Sequence, residues 1–131
     1  MTKTLVPILF FITSLLPSML FQGDLVNDVL PYFKNGNAKD IAKNFAPSVE
    51  LGILSDSDVY SKAQAEQILR DFFSKHIPVN ATVVHVIDTN PNYQVGIVAL
   101  ATKSGKFRTT ISYKKTSGTF YITELKIEAD K

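Results

Sequence analysis

Ser61-Lys-Ala-Gln-Ala-Glu-Gln-Ile-Leu-Arg-Asp-Phe-Phe-Ser-Lys-His-Ile-Pro78 is the stretch whose reading decides the fold, because the hydrophobic period changes immediately after it. Within it Ala65, Ile68, Leu69, Phe72, Phe73, His76 and Ile77 trace one broad apolar face at helical spacing. Ser61 with Gln64 three residues later forms a capping box, and Pro78 terminates the helix. From Ala81 onward the period is two. Val83–Ile87, Tyr93–Ala101, Phe107–Lys114 and Phe120–Glu128 read as strands, separated by Asn90-Pro91-Asn92, Ser104-Gly105 and Thr116-Ser117-Gly118. Turns this short make the four strands antiparallel neighbours.

Working toward the N-terminus, Val49, Leu51 and Ile53 alternate with Glu50 and Gly52, an earlier strand that ends at the polar run Ser55-Asp-Ser-Asp58, read as a solvated loop. Before it, Asn37 caps a short helix with Ile41, Ala42 and Phe45 as its buried stripe, closed by Pro47. A first helix begins at Asp24, buries Leu25, Val26, Val29, Leu30 and Phe33, and leaves through Asn35-Gly36. Pro31 inside it predicts a kink or a late start. A three-residue loop at Thr116–Gly118 would pair Tyr113 with Tyr121, Ile111 with Thr123, Thr109 with Leu125 and Phe107 with Ile127, creating one apolar row. The aromatic face of the long helix is the available cover for that row. The expected class is α+β: three N-terminal helices on a strongly bent antiparallel sheet, in the order α-α-β-α-β-β-β-β.

Residues 1–23 have a different character. Lys3 stands ahead of the uncharged stretch Leu5–Phe21, which reads as an export signal cleaved near Gln22 or Gly23, with a periplasmic or secreted product. The alternative is an uncleaved membrane anchor, short and interrupted by Pro7 and Pro17. Residues 24–131 then form one domain. The signal contains Lys3 and no acid, so its removal lowers the net charge from +2 to +1. A nearly neutral domain has no general attraction for nucleic acid or for a membrane surface. The absence of cysteine excludes disulfides, thiolate metal sites and cysteine nucleophiles.

This element order resembles the nuclear transport factor 2-like superfamily, the cystatin-like cone. The stretch Asp24-Leu-Val-Asn-Asp-Val-Leu-Pro-Tyr-Phe-Lys-Asn-Gly-Asn-Ala-Lys-Asp-Ile-Ala-Lys-Asn-Phe45 is similar to a small family of exported bacterial domains of unknown function. The resemblance implies a cone-shaped sheet with an interior pocket and dimerisation through the outer sheet face. It implies no particular reaction, since the fold hosts enzymes, binders and scaffolds.

Enzymes of that superfamily that resemble ketosteroid isomerase place a carboxylate inside the cone. The expected interior row of Phe107, Thr109, Ile111, Tyr113, Tyr121, Thr123, Leu125 and Ile127 has none, and strand parity turns Glu124 and Glu128 outward. Glu50 or Asp88 would need a bulge to face inward. No catalytic residue, metal ligand or cofactor is therefore assigned. The pocket candidates are Tyr32, Phe72, His76, Phe107, Ile111, Tyr113 and Tyr121. His76 and His85 have no short-spaced ligand partners for a metal, and no Gly-x-Ser-x-Gly elbow accompanies them. The basic residues Lys103, Lys106, Arg108, Lys114 and Lys115 read as a solvated face, with Lys106 opposite Glu128 and Arg108 opposite Lys126. On the strand Tyr93–Ala101 both parities are apolar, so Val95, Ile97 and Ala99 are expected to meet a second copy or another partner, with curvature inside one copy as the plainer alternative. The resulting expectation is an exported, non-enzymatic domain that binds a small apolar ligand or a protein. The alternative is a ketosteroid-isomerase-like enzyme whose base comes from a helix or loop.

Overall fold

The computed structural model describes residues 24–130, so the export signal read at 1–23 lies outside the described residues. Helix α1 (Leu25–Asn35) presents Val26, Val29 and Phe33 to the interior and exits through Gly36 in the left-handed conformation, φ 66°. Pro31 lies within the helix and does not delay its start. Asp24 makes no side-chain cap; the Leu25 amide instead donates to Gln94 Oε1 at 2.8 Å. Helix α2 (Ala38–Ala42) is capped by Asn37 Oδ1, which accepts from the Asp40 amide at 3.1 Å.

Strand β1 (Phe45–Ile53) starts before Pro47, which therefore lies inside a strand and not at a helix end. The polar run expected as a loop is strand β2 (Asp56–Ser61), paired antiparallel with β1 from Ser48↔Ser61 to Ile53↔Asp56. Leu54 at φ 58° lies in the two-residue turn between them. The polar composition hides the strand because β2 is at the sheet edge and exposes Asp56 through Val59. Helix α3 (Lys62–Lys75) has both halves of the capping box at Ser61 and Gln64. Strands β3 (Pro78–Asn90), β4 (Tyr93–Thr102), β5 (Gly105–Thr116) and β6 (Thr119–Ala129) complete the chain.

The six strands form one sheet in the order β2-β1-β6-β5-β4-β3. The sheet is mixed, because β1 and β6 run parallel while every other pair is antiparallel. The class is α+β as expected, with one strand more and one parallel pair.

The β5–β6 register corrects the sequence reading. The loop is two residues, Ser117-Gly118, with φ of 51° and 84°, as a primed turn requires. A bulge follows at Thr123, so Tyr113 pairs with Ile122, Ile111 with Leu125, Thr109 with Ile127 and Phe107 with Ala129. The two one-residue offsets run in the same direction and restore parity beyond the bulge. Phe107, Thr109, Ile111, Leu125 and Ile127 are buried as expected, but near the tip Ile122 takes the buried position read for Tyr121. The same offset places Arg108 across from Glu128 and Thr110 across from Lys126.

Two helices share the concave face. Phe72 of α3 meets Phe107 of β5 edge-on at 5.2 Å, and Phe73 meets Phe33 of α1 at 6.2 Å. Helix α1 packs over β3 and β4. Gly96 pairs in register with Val86 and Ile111, and the nearby bulge lies on β3 between Val83 and His85. Its glycine is required by proximity, since a Cβ there would stand 2.7 Å from Cβ of Val26. Gly96→Ala is therefore expected to cost about 1–3 kcal/mol in urea unfolding, with part of the loss recovered in the double variant with Val26→Ala. Unchanged stability of Gly96→Ala would remove this account of the helix–sheet contact.

Candidate functional site

A cleft of about 430 Å³ opens between the C-terminal half of α3 and the β1–β2 hairpin. Its apolar walls are Leu51, Ile53 and Leu54 on one side and Ile68 and Phe72 on the other, with Tyr60 of β2 beside them. Asp56, Asp71, Lys75 and His76 supply polar groups at its edges. The local sequence explains the arrangement. Ile68, Phe72 and His76 recur at four-residue intervals on α3, while Asp56 and Tyr60 lie opposite Ile53 and Val49 and so share the helix-facing side of the hairpin.

His76 closes one end. It is the C-cap of α3, its ring lies 4.7 Å from Phe72 and 5.0 Å from Phe107, and its Nδ1 is 2.5 Å from Oγ of Ser104 in the β4–β5 turn. The Lys103 amide donates to the Ile77 carbonyl at 2.9 Å, fastening that turn to the end of α3. A serine beside a histidine suggests nucleophilic chemistry, but no carboxylate hydrogen-bonds His76 among the described residues, and Ser104 does not line the cleft. Asp71 is ion-paired with Lys75 at 3.1 Å. The buried polar residues are Thr109 and Ser112, so no described carboxylate lies inside the core, and Glu50 and Asp88 are exposed. Thr109 Oγ1 is buried without a hydrogen-bond partner.

The seven sequence candidates separate. Phe72 and His76 come together at the cleft, and Phe107 meets both rings edge-on behind them. Ile111 is wholly enclosed in the core. Tyr32 is half-buried at the core margin and lines none of the described cavities. Tyr121 lines a separate depression of about 710 Å³ with Phe45, Pro47 and the first turn of α3. Tyr113 is turned to structural use: its hydroxyl donates to the Leu25 carbonyl at 3.3 Å, beside Gln94, which accepts from the Leu25 amide. Val95, Ile97 and Ala99 lie half-buried on the outer face of β4. Sequence reasoning missed Asp56 and Tyr60, whose signal was the two-residue spacing Asp56, Asp58, Tyr60 within a run read as loop.

The conserved-domain profile described as "Domain of unknown function (DUF4783)" matches residues 26–128. The chain belongs to the DUF4783 family. A family member from Bacteroides uniformis is 26% identical, with a TM-score of 0.77 over 82% of this chain and 99% of that one. A second, from Bacteroides ovatus, is 25% identical, with a TM-score of 0.75 over 79% and 93%. A Nostoc punctiforme domain of unknown function with a cystatin-like fold shares 10% identity and a TM-score of 0.64 over 80% and 72%, a likeness of fold alone. The nuclear transport factor 2-like, cystatin-like cone expected from the element order is thus the fold of this family member. No curated protein matches the chain. Among the described residues no helix is long and apolar enough to cross a membrane, and no group of three or more His, Asp or Glu is placed to hold a metal.

Burial holds the Tyr113 phenol well above its ordinary range, with the Asp28 carboxylate adding to the effect. The folded state thus keeps the neutral phenol where the unfolded chain ionises, at about pH 10. The stability from this difference is fully present below that pH and is lost as the pH climbs above it. Tyr113→Phe should be less stable near neutrality by about 1 kcal/mol through loss of the bond to Leu25. Its unfolding free energy should also fall less steeply than the wild type's above pH 10. Parallel curves for the two proteins would contradict the burial argument.

Proposed function

We propose that this DUF4783 domain is exported and non-enzymatic, and that the cleft between α3 and the β1–β2 hairpin binds a small molecule with an apolar body. The observation that carries this reading is the conjunction of apolar walls from two different elements with a few polar groups at the edges, the usual make-up of a small-molecule site. The wider depression beside Tyr121 has Lys62 as its one charged lining residue and brings together fewer of the sequence candidates. Export rests on Lys3 followed by the uncharged stretch Leu5–Phe21.

Binding is favoured over catalysis by the state of the acids. A carboxylate base is tuned upward by burial and stands within reach of the proton it removes. Asp56 and Asp71 are exposed, and Asp71 is already engaged by Lys75.

The test uses the neutral fluorophore Nile red as the apolar probe. Fluorescence enhancement on titration should be weakened about tenfold or more in Ile68→Arg, since the variant places a cation in the apolar wall. Tyr93→Ala, on the outer side of the sheet, serves as the control and should leave it unchanged. Circular dichroism verifies that Ile68→Arg is folded. Full enhancement in a folded Ile68→Arg protein would dismiss the cleft as the site.

A further inference from the structure

Asp56 and Asp71 line the cleft from its two walls, one on β2 and one on α3. Lys75 neutralises Asp71, while Asp56 has no ion-pair partner among the described residues. Helix α3 also ends here, and the negative end of its dipole gives that end of the cleft a partial negative charge. The cleft lining thus has more acid than base, Asp56 and Asp71 against Lys75, although the protein as a whole is slightly basic. Two aromatic rings, Tyr60 and Phe72, line the same space, and an aromatic face attracts a cation.

Resting on the assignment of this cleft as the binding site, we propose that its ligand is an organic cation: a primary or quaternary ammonium group joined to an apolar body. The body lies against Leu51, Ile68 and Phe72, where water is displaced from carbon on both sides. The ammonium faces the edge held by Asp56 and Tyr60. A carboxylate or phosphate head group meets the opposite situation, with an unpaired acid and a helix C-terminus before it and its one nearby lysine committed to Asp71. A neutral head group is accepted without preference. Selectivity for charge sign thus comes from groups on the rim, while the walls provide affinity that does not depend on the head group.

Three probes with one apolar body separate the two levels of the reading: phenylbutylamine, phenylbutanol and phenylbutyrate, titrated into isotope-labelled protein at neutral pH and low salt. Amide shifts of Ile53, Tyr60 and Ile68 report on the cleft. The amine should bind about threefold to fivefold more tightly than the alcohol, and the butyrate more weakly than either. Asp56→Asn should remove most of the advantage of the amine and leave the alcohol within about twofold, as should added salt. Asp56 is exposed on an edge strand, so this variant is expected to fold, and Asp71→Asn provides a second charge change on the other wall. If the alcohol or the butyrate binds at the cleft as tightly as the amine, the cationic assignment is overturned and the binding site stands. If none of the three moves the cleft amides, the binding reading falls and the assignment falls with it.

Discussion

The concave apolar face of the bent sheet has to be covered, and almost every other feature of the domain follows from how two helices divide that task. Helix α1 takes β3 and β4, and reaches them only because Gly96 leaves room for Val26. Helix α3 takes β1 and β5 with Phe72 and Phe73, the first against Phe107 and the second against α1 through Phe33. The polar groups at the start of α1 are satisfied by the sheet itself, through Gln94 and Tyr113. Since a buried backbone group left unpaired costs more than a hydrogen bond gains, these two side chains fix where α1 begins as firmly as the apolar stripe fixes its rotation.

The cleft is what remains where this covering stops. The C-terminal half of helix α3 does not close fully on the β1–β2 hairpin, so Leu51, Ile53 and Leu54 line one side of the space and Ile68 and Phe72 the other. A fold of this type hosts many unrelated activities, and the chemistry here has to be argued from this rim and these walls. Among the described residues no carboxylate is buried in the core, which directs attention to the edge of the cone.

Much of the architecture was legible in the sequence because period and caps agreed. The capping box at Ser61, the switch of period beyond Pro78 and the left-handed exit at Gly36 each had a single physical reading, and the structure has all three. Among the features that were not legible, two stand out. Strand β2 carries Asp56, Ser57 and Asp58 because an edge strand with little burial needs no apolar alternation, so composition concealed it. The bulge at Thr123 leaves no mark in a sequence where both Tyr121 and Ile122 are plausible interior residues. The site inherits the first of these blind spots. Phe72 and His76 were found because they belong to a strong helix, whereas Asp56 and Tyr60 belong to the strand that was not seen.

The parallel pairing of β1 with β6 has a bearing on when the domain can fold. The last strand to be synthesised occupies a middle position, between β1 and β5, so the β1–β2 hairpin has no neighbour on its inner edge until β6 has emerged. Closing that contact joins residues near opposite ends of the domain, a long loop with a corresponding entropic cost, and such closures are slow. The central strand of the sheet is thus the last to be added, and completion of the fold waits on it whatever the earlier elements have formed.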